Sequence, residues 1–166
     1  MPQTKSLIIA FAFGAPANIR SNERIAEIAS QKASRLNALI YTQEDVPIKN
    51  KKFTVVRISQ KREDLPPTLR IARGAVLWAK EHGVKELWIV AAPPHLPRVL
   101  RDLKEALKES ETKRKIKTCQ EVAIYSEEEW FCKDSTQKRT QSLKNWERRE
   151  RTITGLPFFI YKRIAN

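Results

Sequence analysis

Residues 86–98 have the sequence ELWIVAAPPHLPR, in which an apolar run is followed by a proline-rich turn and the start of a helix. The run at 86–92 is short and rich in branched and aromatic side chains, a pattern typical of a buried strand. Prolines at 93 and 94 end the strand, and Pro97 stands where a first helical residue is expected. Leucines recur at helical spacing and predict a helix over 96–109: Leu96, Leu100, Leu103 and Leu107.

A second apolar run, LIIAFAF at 7–13, ends at Gly14. A short run closed by glycine predicts a strand buried on both faces, as in a parallel sheet. Lys5 and the small residues at 15–17 have some likeness to a signal peptide, but Pro16 lies inside the would-be cleavage motif. We therefore expect a first strand here. No run in the chain is long enough to cross a bilayer.

Strands and helices alternate along the rest of the chain. After the first strand comes a helix that Ser21 or Asn22 would cap. The further predicted elements are strands at 39–42, 53–58 and 122–125, a helix that begins at Pro66 and Pro67 and ends at 82–83, and a segment at 156–161 that packs the C-terminus onto the body. This order predicts an α/β fold of three layers, with a mostly parallel sheet and helices on both faces.

The C-terminal third of the chain is more polar. Residues 133–142 include no large apolar residue, so they predict an exposed helical segment or a mobile loop. We expect a single domain over residues 1–166, with a basic C-terminal helical segment at about 126–152.

The chain of 166 residues is strongly basic, with 32 Lys and Arg against 19 Asp and Glu and a formal net charge of +13. Such an excess favours association with polyanions or phosphorylated ligands, and a solvated basic surface is the alternative. Cys119 and Cys132 match no metal-ligand spacing, so we expect no metal site and two reduced thiols, as in a cytoplasmic protein.

In sheets of this kind, ligands bind beyond the carboxyl ends of the strands, which points to the loops at 14–24 and 92–98. At the second loop, His95 can donate a hydrogen bond or exchange a proton, which makes it the candidate catalytic residue. Arg98, in the first turn of the next helix, can clamp an anion. The alternative is that His95 caps this helix and that Arg98 is a surface residue.

The first loop and the helix before the central strand supply the other candidate ligand-binding residues. Gly14 permits close approach of the backbone to a ligand. Further candidates are Asn18, Arg20, Arg24 and Thr68. Ordinary surface positions for the two arginines, and a helix cap for Thr68, are the alternatives. No complete dinucleotide or P-loop glycine motif is present.

Residues 87–98 resemble a segment of the bacterial YdcF/SanA/ElyC-type family, in which a strand is followed by His, any residue, Pro, Arg and a helix. The matching positions are His95, Leu96, Pro97 and Arg98, and the likeness is closest over 66–107. Phe13 stands in place of the family's first glycine, and its Ser-Gly-Gly turn is missing. The resemblance implies a Rossmann-like fold with a pocket at the strand ends, and S-adenosylmethionine as a ligand in one branch.

Taken together, these features predict a domain that binds an anionic, nucleotide-like small molecule, with or without catalysis. Two other functions stay open. Nucleic-acid binding would use the basic surface with Trp130, Phe131 and Trp146 as stacking rings. A non-catalytic interaction module would dock through the basic stretch at 138–151.

Overall fold

A computed structural model describes residues 5–49, 51–58 and 68–165 of the chain. Within these residues the strands are β1 (Ser6–Ala10), β2 (Leu39–Gln43), β3 (Val55–Ile58), β4 (Glu86–Val90) and β5 (Lys115–Thr118). The helices are α1 (Arg20–Leu36), α2 (Thr68–Glu81), α3 (Leu96–Glu109), α4 (Leu143–Gly155) and α5 (Phe158–Ile164). The start of α2 that was predicted at Pro66 and Pro67 lies outside the described residues.

All strand pairs are parallel, and the described sheet has the order β3-β2-β1-β4-β5. Side chains of β1 alternate between two cores, as expected for a strand covered on both faces. Ile8 packs with α1, whereas Ile9 packs with α2 and α3. The protein therefore has the predicted three-layer, Rossmann-like α/β architecture.

The chain order reverses at the centre of this sheet, because β2 lies on one side of β1 and β4 on the other. Parallel sheets of this kind have a crevice between the carboxyl ends of the two strands at such a point. The loops at 14–24 and 92–98, which the sequence identified as candidate ligand sites, both border this crevice, because one follows β1 and the other follows β4.

Two predicted details before residue 126 were wrong. Residues 122–125 form no strand, because residues 120–124 are a 3₁₀ turn and the fifth strand lies earlier, at Lys115–Thr118. Ser21 and Asn22 do not cap α1, which begins at Arg20. Their side chains instead bond the backbone of Phe13, Ser21 donating to its carbonyl oxygen at 2.7 Å and Asn22 accepting from its N–H at 2.8 Å.

The chain from Phe131 to Gly155, here called the strap, lies over the carboxyl edge of the sheet. Near its middle, Trp146 joins the core on the α1 side. Beyond the crevice, Ile153 of α4 and Tyr161 of α5 pack with Leu69 at the start of α2. The C-terminus thus contacts the body through Tyr161 and Ala165, whereas Phe158, Phe159 and Ile160 of the segment predicted to pack there are exposed. Residues 133–142 form turns and a short 3₁₀ segment at Lys138–Thr140, so the predicted exposed α-helix is absent from this stretch. Ser135 and Thr140 are buried.

Candidate functional site

A cavity of about 20 Å³ lies in the crevice between the carboxyl ends of the central strands. Such a volume holds about one water molecule. The loops after β1 and β4, the end of β2, the start of α2 and the strap all contribute lining residues. These are Ala12, Phe13, Gly14, Gln43, Thr68, His95, Arg98, Gln137, Arg139 and Trp146.

His95 occupies the position before α3, and its imidazole is buried. Its Nε2 lies 3.0 Å from the hydroxyl oxygen of Thr68, and it makes no side-chain cap of α3. The Nδ1 atom is buried and has no hydrogen-bond partner among the described residues. Burial, followed by the nearby charges of Arg98 and Arg139, lowers the pKa of His95 well below its usual value. The imidazole is therefore neutral at physiological pH, with one ring nitrogen available to a ligand.

Arg98 is buried in the first turn of α3 and is not a surface residue. Its Nε lies 3.1 Å from Oε1 of Glu150 in the strap, and its guanidinium lies 5.5 Å from the centre of the Trp146 ring. The ion pair is close, but the N–H groups are not aimed at the carboxylate. Within the described chain, Nε and Nη1 of Arg98 and Oε1 of Glu150 thus make no hydrogen bond. Arg98 has unused donors in a buried position.

Charges around the cavity favour an anion. Arg139 of the strap is a second arginine in the lining, and burial together with Arg98 and Arg149 lowers its pKa to about 10. Arg139 still carries its charge at neutral pH. Burial also raises the pKa of Glu150, against the opposing effect of Arg98. Arg98 and Arg139 thus lie close to Glu150, whose carboxylate is itself poorly solvated.

Gly14 has φ +97°, a conformation that side-chain-bearing residues rarely adopt. A Cβ at this position would lie 2.7 Å from the hydroxyl oxygens of both Ser135 and Thr140. The predicted close approach to Gly14 is thus made in this structure by hydroxyl groups of the strap.

The structure brings together four of the seven residues predicted from the sequence: Gly14, Thr68, His95 and Arg98. Asn18 and Arg20 line a separate groove of about 660 Å³ beside residues 131–134. Arg24 lies 3.8 Å from the centre of the Tyr125 ring and donates to the carbonyl oxygen of Glu129 at 2.8 Å. These three residues do not line the cavity in the crevice.

Sequence reasoning missed Gln43, Gln137, Arg139 and Trp146, which also line the cavity, and Glu150, which pairs with Arg98. Gln43 is the last residue of β2, so the rule about carboxyl ends would have found it. No local pattern marks the four strap residues, because they reach the crevice through long-range packing.

Other candidate features have structural roles. Trp130, Phe131 and Trp146, proposed as stacking rings for nucleic acid, are all buried in the core. Cys119 and Cys132 are buried free thiols, and the described residues include no group of three or more candidate metal ligands. Among the described helices, none has both the length and the apolar character needed to span a membrane.

No protein-family model, curated protein or solved structure matches this chain. The geometry and charge of the crevice are therefore the observations from which a function can be inferred.

Proposed function

We propose that this protein binds an anionic small molecule, with nucleotide-like molecules as the leading candidates, in the crevice between the carboxyl ends of β1 and β4. One observation supports this most directly: buried polar atoms of His95 and Arg98 line the cavity with unused hydrogen-bonding capacity. Native proteins rarely leave such groups unsatisfied, because each costs about 1–3 kcal/mol. An anionic ligand would satisfy them.

Arg98 and Arg139 would hold the anionic group, and His95 would contact it through Nδ1. A neutral imidazole can donate or accept a hydrogen bond, according to its tautomer. If turnover of a ligand is found, His95 is the group we assign to proton transfer, since Thr68 fixes the position of its other nitrogen. The resemblance to the YdcF/SanA/ElyC-type family supports a ligand at this place and adds S-adenosylmethionine as a molecule to test.

The cavity holds no more than a water-sized group, so a ligand must displace part of the strap. Gln137, Arg139 and Trp146 form the side of the cavity that the strap supplies. These residues lie on the segment that crosses the edge of the sheet, outside β1 and β4 themselves.

The test compares ligand-induced thermal shifts in wild type, Arg98→Gln and Lys104→Gln. Lys104 lies on the same helix and is exposed, so Lys104→Gln removes a positive charge away from the crevice and is the control. The probes are pyrophosphate, AMP, a sugar phosphate and S-adenosylmethionine, each at low and high salt. A ligand at about 100 times its dissociation constant adds about 2.7 kcal/mol of stability, which corresponds to roughly 5–10 °C for a chain of this size.

We expect the shift in wild type and Lys104→Gln and its loss in Arg98→Gln. A single-stranded oligonucleotide serves as a further probe. A shift with the oligonucleotide alone, abolished by salt and unchanged in Arg98→Gln, would refute the proposal and identify a polyanion-binding surface instead.

A further inference from the structure

The strap fills the crevice with groups that are chemically like those of a ligand. The backbone N–H of Ala15, the residue that follows Gly14, donates to Ser135 Oγ at 3.3 Å. Glu150 places a carboxylate 3.1 Å from Arg98. A hydroxyl oxygen on the loop after β1 and an anion on the arginine are what a bound ligand would present at a Rossmann-like crevice.

Trp146 supplies a flat ring in the same place. Its ring centre lies 4.8 Å from that of Phe13 and 5.5 Å from that of His95, and the guanidinium of Arg98 lies 5.5 Å from it. The indole N–H donates to the carbonyl oxygen of Pro94 at 3.2 Å. Two aromatic rings and a cation thus surround a slot whose present occupant is a planar aromatic group.

Several polar atoms make no hydrogen bond where the strap meets the crevice. Within the described residues, Arg98 Nη1 and Nε, His95 Nδ1 and Glu150 Oε1 have no hydrogen-bond partner, although all four atoms are buried. The strap therefore matches the crevice in shape and charge but leaves the hydrogen-bonding atoms of His95 and Arg98 without partners. A molecule with better-placed oxygens gains these contacts when it replaces the strap.

We infer that the strap is an internal stand-in for the ligand and competes with it for the crevice. The ligand that displaces it carries a planar aromatic ring joined to an anionic group: the ring takes the slot of Trp146, and the anion takes the place of Glu150 beside Arg98. This inference rests on the proposed function and adds to it the class of ligand and the means by which access is controlled.

The competition has a measurable consequence. When only a fraction of molecules has the strap displaced, the apparent dissociation constant equals the intrinsic constant divided by that fraction. Weakening the contacts of the strap raises the displaced fraction and so tightens ligand binding. The same substitution would weaken binding if Glu150 itself held the ligand.

The experiment compares wild type, Glu150→Gln and Glu147→Gln by calorimetric titration with AMP, ribose 5-phosphate and inorganic phosphate. Glu147 is exposed on the same helix, so Glu147→Gln makes the same chemical change away from the crevice. We expect AMP to bind at least tenfold more tightly than ribose 5-phosphate, Glu150→Gln to tighten AMP binding at least fivefold, and Glu147→Gln to leave it unchanged. Ser135→Ala, which removes the contact with Ala15, should also tighten it.

Hydrogen exchange supplies the second readout. In wild type, AMP should increase amide exchange across residues 131–155 while it decreases exchange in the loops after β1 and β4. If AMP binds equally to all variants and protects the strap, the inference is overturned and the proposed function stands. If none of the three probes binds even to Glu150→Gln, the inference fails, and the proposed function is decided by the thermal shifts with pyrophosphate and S-adenosylmethionine.

Discussion

His95 is held in the core at the start of α3, where ionisation of its imidazole is unfavourable. Its pKa is lowered in the folded protein by burial first, and then by the charges of Arg98 and Arg139. In the unfolded chain the pKa returns to about 6.5. As the pH falls through that value, the unfolded state takes up a proton that the folded state does not, and the free energy of unfolding decreases.

We therefore expect wild type to lose about 1–2 kcal/mol more stability between pH 7.5 and pH 5 than the variant His95→Gln. Carboxylates of the site, such as Asp102 and Glu150, are common to both proteins, so most of their titration cancels in the difference. Urea unfolding at a series of pH values measures the difference in stability loss between the two proteins. Parallel stability curves for the two proteins would show that His95 becomes protonated in the folded state.

At this scale, the candidate site was partly predictable. His95 and Arg98 stand directly after a strongly apolar strand, and the rule on carboxyl ends directs attention to that turn. The burial of Arg98 and its ion pair were not predictable, because they depend on Glu150 and Trp146, which lie some 50 residues later in the chain. The surroundings of Gly14 were not predictable either, because its close neighbours Ser135 and Thr140 also lie far along the chain.

Among the elements, the five-strand pattern was visible in the sequence except at one edge, that of β5. The central strands β1 and β4 are continuous apolar runs because both of their faces are covered. Strand β5 lies at the edge of the sheet and has the sequence KIKT, in which lysines alternate with less polar residues. Charged residues are typical of edge strands, since they oppose pairing with another chain. Residues 122–125 are more apolar, yet Ile124 is 73% exposed.

Helix α5 is held to the body by a buried hydrogen bond. The hydroxyl of Tyr161 donates to Oδ2 of Asp102 in α3, and both residues are fully buried. Burial raises the pKa of Asp102, and the bond from Tyr161 opposes that increase by stabilising the carboxylate. Removal of the hydroxyl leaves a buried carboxylate oxygen without this donor.

We expect Tyr161→Phe to lower the free energy of unfolding by about 1–3 kcal/mol. Phe159→Ala is the control within the same helix, because Phe159 is 63% exposed and its loss should change stability by no more than about 0.5 kcal/mol. Urea unfolding measures both variants. Equal losses in the two would mean that α5 is held by its apolar contacts and not by the bond to Asp102.

At the scale of the whole molecule, the strap joins the two faces of the sheet. It meets the α1 side through Trp146 and the α2–α3 side through Ile153. Hydrophobic periodicity identified the layers but gave no sign of this crossing. The strap is attached to the loop after β1 by hydroxyl and backbone groups, such as Thr136 N–H donating to the Ala15 carbonyl oxygen at 2.8 Å. Polar contacts of this kind leave no periodic pattern in a sequence.

The net charge of +13 also acts on the molecule as a whole. Like charges spread over a folded surface repel one another and lower its stability, whereas ion pairs such as Lys32–Glu121 at 2.6 Å and Arg73–Glu109 at 2.7 Å act in the opposite sense. Exposed pairs contribute only about 0–1 kcal/mol each. Repulsion should therefore be the larger effect at low ionic strength.

We expect the melting temperature to rise by a few degrees between about 50 mM and 500 mM NaCl, because the screening length falls from about 14 Å to about 4 Å. Chloride held at the crevice would give the same sign, so Arg98→Gln is measured alongside wild type. An equal rise in both proteins assigns the effect to general screening of surface charge. A fall in melting temperature with salt would contradict the prediction, since it would show that the ion pairs outweigh the repulsion and that the basic side chains are arranged mainly to stabilise the fold.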